Sequence, residues 1–473
     1  MAFRKRRAIG VGCLGLLAIL LAAAIYYYIR QQRMTSELQD LVAALDESEP
    51  GWRLADLYQK GLDIPAEENS AVLILKLKPL VPRDWRKQDE ELDWAEVLPG
   101  DPLTAKQEAT IRARVGRLEG ALPEARKLIE RPRGRFKITP AADMISTLLP
   151  HLEDVRAAAD MLAHDVYWRV HLGQYDEALA SCQAGVNVAR SLDDEPILIS
   201  QLVHGTTMNL AVRGVQHTLA SGEPGAAALD KLQKSLEDAN RQDAFEVSIR
   251  GERAAMHELF TNMTNGTVSF GQIVKLMGGR GSTGIQDTAQ EFAMMTSARA
   301  SHIWMLMHFN AALEAGRLPA ARQDAQMKQL QQAPISAPML AKFLAPAWVK
   351  CHEAFRRNET RLRCAIVAVA LERYRRKHGE WPADLAALMP EFLGKMPRDP
   401  YTGEALHYRQ TANGVVVFSG GPDGKQAGDF YDKAQPAGPA AAPGGPDMGE
   451  YYEFRLWDPP LRGVPVVQRA RKP

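Results

Sequence analysis

The chain lacks the residue patterns that mark the common serine and zinc hydrolases. Its 473 residues contain no GxSxG, the turn that presents a nucleophilic serine. Two stretches begin like the zinc motif HExxH, at His257 and at His352, but Thr261 and Arg356 stand where each second histidine is required. We therefore expect no serine or zinc hydrolase of these types, and the sequence identifies no catalytic residue.

Cysteine is also scarce. Of the four cysteines, Cys13 lies in an apolar stretch, and Cys182, Cys351 and Cys364 remain as an odd number. If Cys351 and Cys364 share a helix, roughly 19 Å separates them, which is too far for a disulfide. No CxxC and no Cys/His cluster at zinc spacing occurs. We interpret the cysteines as small buried hydrophobic residues.

The chain has no excess of either charge. Lys and Arg number 58 and Asp and Glu number 57, so there is no overall basic field that would attract nucleic acid. A hydrophobic fraction of 46% with 24% charged residues is ordinary for a globular protein, and the length predicts two or three domains. We expect no nucleic-acid partner.

What the sequence does contain, at its start, is a long uncharged run. Residues 1–7 carry four cationic side chains, whereas residues 8–28 carry no formal charge and end in three tyrosines. About 20 apolar residues in a helix cover the roughly 30 Å hydrocarbon core of a bilayer, and tyrosine is typical of its interface. We predict a single-pass transmembrane anchor within residues 1–33. A cleaved signal peptide, cut near residues 22–24, stays open as the alternative.

The cationic cluster before the run also predicts how the chain is oriented. Lys and Arg are enriched on the cytoplasmic side of a membrane helix, so we expect the N-terminus to be inside the cell. The bulk of the chain would then lie on the periplasmic side of a bacterial inner membrane. The membrane is accordingly the first expected partner.

After the anchor, apolar residues recur at helical spacing over most of the chain. We predict a stalk and mixed region at residues 34–101 and a helical domain at residues 102–358, where strand signals are scarce. Its clearest unit is a pair of helices flanking Gly173-Gln174-Tyr175-Asp176-Glu177-Ala178. That turn resembles the one inside a tetratricopeptide repeat, which implies paired antiparallel helices, although no strict repeat period emerges.

The pattern changes near residue 359. A predicted helix ends at His378-Gly379, where glycine suits a left-handed cap. Strands are predicted at residues 406–409 and 415–418, and Asn413-Gly414 between them is a favoured hairpin pair because both residues tolerate positive φ. We predict a small α+β module at residues 359–432. Residues 433–473 would form a linker rich in Pro, Ala and Gly, a return strand at 451–457 and a loose tail.

Four motifs follow one another in and around this module. They are Leu371-Glu372-Arg373-Tyr374, Gly379-Glu380-Trp381-Pro382, Asp399-Pro400 and Ser419-Gly420-Gly421-Pro422-Asp423-Gly424-Lys425. Over about residues 361–432, their order and approximate spacing resemble the C-terminal half of the major pseudopilin of type II secretion.

In that family the last motif is a loop that binds calcium. The resemblance therefore implies a calcium site in which Asp423 takes the position of the family's acidic ligand. Asp429 and Asp432 are further candidate oxygen donors, and three carboxylates with loop carbonyls would satisfy the coordination that calcium prefers. A Gly/Asp turn held by its own hydrogen bonds is the alternative.

The chain departs from that family in two respects. About 330 residues separate the anchor from the module, and the Phe-Thr-Leu-x-Glu assembly signal is absent. We therefore do not expect a filament subunit. The arrangement of anchor, long helical region and pseudopilin-like tail resembles membrane-anchored envelope proteins of planctomycete-type bacteria, a resemblance that implies no activity.

Taken together, these patterns predict a mainly α fold with a transmembrane helix, weakly tetratricopeptide-like helical hairpins and a small α+β module. We expect a non-enzymatic envelope protein whose helical surface binds another protein. Two alternatives stay open: an envelope hydrolase whose site is assembled from scattered Asp, Glu and His, and an accessory of a type II secretion or pilus-like system. Converging titratable groups in a deep polar pocket would favour a hydrolase, and an exposed groove would favour a scaffold.

Overall fold

The structure, a computed structural model, describes residues 2–82, 85, 97–240, 243–276, 285–332, 337–344, 347–433, 452–465 and 468. The side chains of residues 2–16, 274, 285–295, 339, 343 and 432–433 lie outside the description. Two predicted features fall at least partly outside it: the linker at residues 434–449, and the side chains of the first half of the anchor.

The described part of the chain is mainly α-helical, as predicted, with one small antiparallel sheet. The first helices are α1 (Ala2–Ser48), α2 (Leu54–Gln59), α3 (Ser70–Leu77), α4 (Ala105–Arg117), α5 (Leu122–Arg126), α6 (His151–His171), α7 (Tyr175–Arg190), α8 (Leu198–Ser221) and α9 (Ala226–Ala239). They are followed by α10 (Ala244–Thr264), α11 (Phe270–Leu276), α12 (Ile285–Arg317), α13 (Ala320–Gln331), α14 (Met339–Leu344), α15 (Trp348–His378) and α16 (Phe430–Lys433).

The sheet has the strand order β1 (His407–Thr411), β2 (Gly414–Phe418), β3 (Glu453–Trp457), with both pairs antiparallel. Thr411 pairs with Gly414, so the hairpin loop is Ala412-Asn413 rather than the predicted Asn413-Gly414. Gly414 instead begins β2 at a φ of 134°, and a Cβ there would lie 2.2 Å from the Leu456 carbonyl oxygen. Glycine is therefore required by the close approach of β3, not by the turn.

Helices α6 to α9 form one packed group, and α15 packs against α8 and α9 of this group. Helices α6 and α7 are the pair predicted on either side of Gly173, which takes a φ of +71° between them. Their facing residues form one apolar core with α8 and α9, including Val166, Leu179, Val215 and Leu232.

Helix α15 joins the two regions that the sequence divides at residue 359. It runs through that position without a break and ends at His378, with Gly379 in the predicted left-handed conformation at a φ of +84°. Residues 364–371 are all at most 1% exposed, because α15 packs on α8 and α9 and also on β2 and β3. The helical region and the sheet thus share one helix and one apolar core.

A buried ion cluster follows this apolar stretch. The Glu372 carboxylate, 0% exposed, accepts hydrogen bonds from Arg462 at 2.9 and 2.7 Å and from Arg375 at 2.7 and 3.1 Å. Burial alone would raise the pKa of Glu372, but the two arginines hold it below its ordinary value. Arg462 also donates to the carbonyls of Gly222 and Trp457, so the cluster ties the segment after β3 to α15 and to the end of α8.

We predict that Glu372→Gln destabilises the protein, since it leaves the buried Arg462 guanidinium without a counter-charge among the described residues and leaves Arg375 with Glu223 alone. The loss should be about 3–5 kcal/mol, the usual cost of breaking a buried ion pair from one side. Urea unfolding followed by circular dichroism would measure it. The matched control is Glu380→Gln in the same module, where the side chain is exposed and we expect a change within about 0.5 kcal/mol. Equal stability of the two variants would contradict this account of the cluster.

At the other end of the chain, the second half of α1 belongs to the folded body. Leu45 packs against Trp52, Leu54 and Leu306, and Arg299 of α12 donates to the Gln31 carbonyl at 3.3 Å. Before Arg30 the described side chains of α1 are exposed. Within the described part of the chain, no helix combines the length and the apolar character that crossing a bilayer requires.

Two histidines lie at the junction of α1, α10 and α12. His257 Nδ1 is 2.9 Å from His302 Nε2, and Arg53 Nη1 is 3.3 Å from His257 Nε2. Because a guanidinium only donates, His257 must accept at Nε2 and donate from Nδ1, which makes His302 Nε2 an acceptor. Both imidazoles are therefore neutral. Burial lowers the pKa of His257 to about 4, and the charge of Arg53 adds to this effect. Burial lowers the pKa of His302 to about 3, with further contributions from His257 and Arg299.

We predict that the protein loses stability as the pH falls below about 6.5. The unfolded histidines take up protons first while the folded ones stay neutral. This contribution is therefore complete above the unfolded pKa, is lost progressively as the pH falls below it, and is fully lost once the pH has fallen through the folded values. Between pH 7 and pH 5 one such histidine accounts for about 2 kcal/mol. Thermal unfolding at both pH values would show a smaller difference for His302→Gln than for the wild type. His407→Gln, which alters an exposed histidine of β1, should leave the difference unchanged.

Candidate functional site

A cleft lies beside the middle of α15. It has a volume of about 870 Å³ and lies between α8, α9, α10, α13 and α15 and the loop at residues 394–403. The loop precedes the sheet, so the cleft lies where the helical region meets the C-terminal module. Volumes of this size are typical of ligand sites.

Apolar side chains form part of the cleft wall. Phe245 of α10 and Phe355 of α15 are both 7% exposed, and their rings meet edge to face with centroids 5.9 Å apart. Leu362 and Met208 lie in the same wall. This surface offers an apolar contact to whatever enters the cleft.

An ion pair lies in the middle of the cleft. Glu359 and Arg363, one turn apart on α15, pair with each other, and Arg363 also donates to the Arg398 carbonyl at 2.6 Å and to Asn240 Oδ1 at 3.3 Å. The Glu359 side chain is 40% exposed, and that exposed surface faces the cleft. Burial by the surrounding helices nevertheless raises its pKa; Arg363 opposes this, and Asp243 adds to it.

Other charged groups of the cleft have no opposite charge within pairing distance in the described part of the chain. They are Glu237, Asp243, Lys395, Arg398 and Asp399. Asp243 Oδ1 accepts the Glu246 N–H at 2.9 Å and so begins α10, and Asp399 Oδ1 accepts the Tyr401 N–H at 2.8 Å. The cleft therefore presents charges of both signs that no ion pair among the described residues neutralises.

Arg356 lines this cleft, and a smaller bay lies on the other side of α15. Arg356 is 4% exposed, pairs with Asp324 of α13 and lies 4.2 Å above the Tyr401 ring. Burial alone would raise the pKa of Asp324, but His352 and Arg356 hold it below its ordinary value. His352 lines both cavities.

The next carboxylate of α15, Glu353, is held by two tyrosines. Tyr401 and Tyr452 both donate their hydroxyls to Glu353 Oε1, at 2.7 and 2.8 Å. Burial raises the pKa of both phenols, to about 12 for Tyr452, and the neighbouring carboxylate adds to the effect. The hydroxyls therefore stay protonated at neutral pH and act as donors to Glu353.

The predicted calcium loop lies at the rim of the bay. Asp423 is 52% exposed there; its Oδ1 accepts the Lys425 N–H at 3.1 Å, and Lys425 Nζ lies 3.4 Å from Oδ2. These contacts hold the pKa of Asp423 below its usual range. Asp429 is partly buried, and the side chain of Asp432 is outside the described residues. Among the described side chains, no three His, Cys, Asp or Glu residues converge as metal ligands.

The sequence singled out few of the residues that build the two cavities. His352-Glu353 attracted notice as an incomplete HExxH, and both residues line the bay. Asp423, the predicted calcium ligand, also lines the bay, and the Asp399-Pro400 motif lines the cleft. A signal was present in the polar positions 352, 356, 359 and 363, which recur every three or four residues along one face of α15. That spacing alone is typical of any solvated helix face, so it could not identify a site.

Comparison with known proteins adds no relative: no family model, curated protein or solved structure matches the chain.

The adjacent arginines of α15 provide a matched pair of variants. We predict that Arg356→Met lowers the stability by about 1–3 kcal/mol, because it removes the partner of Asp324 and the cation above Tyr401. Arg357→Met should not lower it, because Arg357 has no ion pair within the described residues and its buried Nε has no hydrogen-bond partner there. Urea unfolding of both variants checks this; comparable losses would contradict the stabilising role of the Arg356–Asp324 pair.

Proposed function

We propose that the protein is a non-enzymatic scaffold, anchored in the bacterial inner membrane, which binds a segment of a partner protein in the cleft beside α15. The observation that carries this proposal is the cleft itself, with its apolar wall of Phe245 and Phe355 and its charges of both signs that have no ion pair within the described chain. A polypeptide segment supplies what such a wall can contact: apolar side chains, charged side chains and a polar main chain.

The composition of the wall favours a protein ligand over a singly charged small molecule. Glu237, Asp243 and Asp399 offer negative charge, while Lys395 and Arg398 on the loop at residues 394–403 offer positive charge. A ligand of one sign would be repelled by part of this wall, whereas a segment with both kinds of side chain would pair with each part.

The membrane anchor in this proposal is supported by the exposed surface of α1. Leu17, Ile19, Leu20, Leu21, Ile25 and Tyr26 to Tyr28 are 45–69% exposed and make up a large apolar surface on one helix. A surface of this kind is normally covered by another apolar phase. The cationic residues before it favour an N-terminus inside the cell and the body of the protein outside it.

We also propose that the helical region is tetratricopeptide-like and that the C-terminal module is pseudopilin-like. The turn at Gly173 between α6 and α7 supports a tetratricopeptide-like hairpin. The order of α15, its Gly379 cap and the three strands supports a pseudopilin-like module. That module is also the only reason to consider an accessory role in a secretion or pilus-like system.

One observation favours an envelope hydrolase as the second candidate. The raised pKa of Glu359 places a carboxyl group suited to proton transfer inside a cleft, next to Arg363. No serine, threonine or cysteine stands among the described residues that line the cleft. A binding role therefore explains more of the residues that line the cleft than a catalytic role does.

The test is capture of the full-length protein from mildly solubilised membranes, with mass spectrometry of the proteins that accompany it. The double variant Lys395→Glu/Arg398→Glu reverses both exposed cations of the cleft, and we expect it to lose the partner, with at least about a tenfold drop in recovery. The control is Lys231→Glu/Arg322→Glu, which makes the same change at exposed positions outside the cleft.

Each result decides between the candidates. A partner that is retained by the control and lost by the cleft variant supports the scaffold, and secretion or pilus components among such partners support the accessory role. Recovery of the bait alone, or of the same proteins with both variants, contradicts binding in the cleft.

A further inference from the structure

The smaller bay on the other side of α15 has a different electrostatic character from the cleft. It has a volume of about 470 Å³ and lies between α13, the first turns of α15 and the loop at residues 422–426. A volume in this range accommodates a small ligand. Helices supply two of its sides, so its shape is set by the packing of the body and not by the loop alone.

The carboxylates of the bay are already neutralised or hydrogen-bonded within the chain. Asp324 pairs with Arg356, and Asp423 with Lys425. Glu353 accepts the hydroxyls of two tyrosines on a single oxygen. These groups have their partners, and a ligand would gain little by competing for them.

Two cations of the bay have no such partners. Arg357 of α15 and Lys328 of α13 line it, and neither makes an ion pair or a side-chain hydrogen bond within the described residues. The Nε atom of Arg357 is buried without a hydrogen-bond partner, whereas Lys328 is exposed. A buried donor that lacks a partner costs free energy, which a suitable acceptor would recover.

We propose that the bay binds an oxyanion, a carboxylate or phosphate group, between Arg357 and Lys328. The arginine fork matches two oxygens of such a group, and the lysine adds a point charge from the opposite helix. The two residues come from different helices, so an oxyanion between them neutralises both at once. This inference does not rest on the ligand of the cleft.

An oxyanion site and the predicted calcium site would place ligands of opposite charge in the same bay. Asp423 lies at the rim of this bay, and the calcium prediction requires it to bind a cation. Its pairing with Lys425, together with Arg357 and Lys328, which have no ion pair in the described part of the chain, favours an anion instead.

The test is isothermal titration of the full-length protein in mild detergent with inorganic phosphate or succinate, at constant ionic strength set by sodium chloride. We expect saturable binding of at least one anion, and a Kd that rises about tenfold or more in Lys328→Gln and in Arg357→Gln. Arg322→Gln, an exposed arginine of α13 outside the bay, should bind as the wild type does. Thermal unfolding without the anion checks that each variant is folded.

The two probes distinguish a phosphate group from a carboxylate group as the natural ligand. No binding of either anion by the wild type would overturn the proposal, and so would binding that both bay variants retain. A saturable response to calcium chloride that Asp423→Asn abolishes, without any response to the anions, would assign the bay to the cation instead.

Discussion

The burial of α15 from two sides is the constraint on which the rest of the molecule depends. A helix at the surface of a domain hides one face and exposes the other. Over residues 364–371 α15 exposes neither, because α8 and α9 cover one side and β2 and β3 cover the other. The sheet has only three strands and completes its own core with this helix. The C-terminal module is thus built around a helix that it shares with the rest of the chain.

A charged side chain is tolerated in such a buried position only where groups of opposite charge pair with it. Glu372 follows the apolar stretch directly and is tolerated because Arg375 and Arg462 surround its carboxylate. Arg462 comes from the segment after β3, so the pairing also fixes that segment against α8 and α15. The buried Glu372 carboxylate of α15 thereby fixes the position of Arg462, which lies 90 residues further along the chain.

The first half of α15 lacks the covering sheet and carries the polar face that separates the two cavities. In this half, paired and unpaired groups alternate. Arg356 and Arg363 have acidic partners, whereas Arg357 lies between them without an acidic partner among the described residues. A cation without an ion pair among the described residues is available for a ligand, and this difference between neighbours is what distinguishes the bay from an ordinary charged helix face.

The sequence by itself determined the elements whose signals are local. Apolar spacing predicted the helices, Gly379 predicted where α15 ends, and the alternation at residues 451–457 predicted the strand that returns to the sheet. It misplaced the hairpin turn, because Gly414 is required by the approach of Leu456 from a distant strand. The cleft and the bay were decided only by the tertiary structure, since their walls come from helices and loops up to about 200 residues apart in the chain. Whether Arg356 or Arg357 has an acidic partner depends on where α13 packs against α15, and the residues next to the two arginines in the sequence do not indicate this.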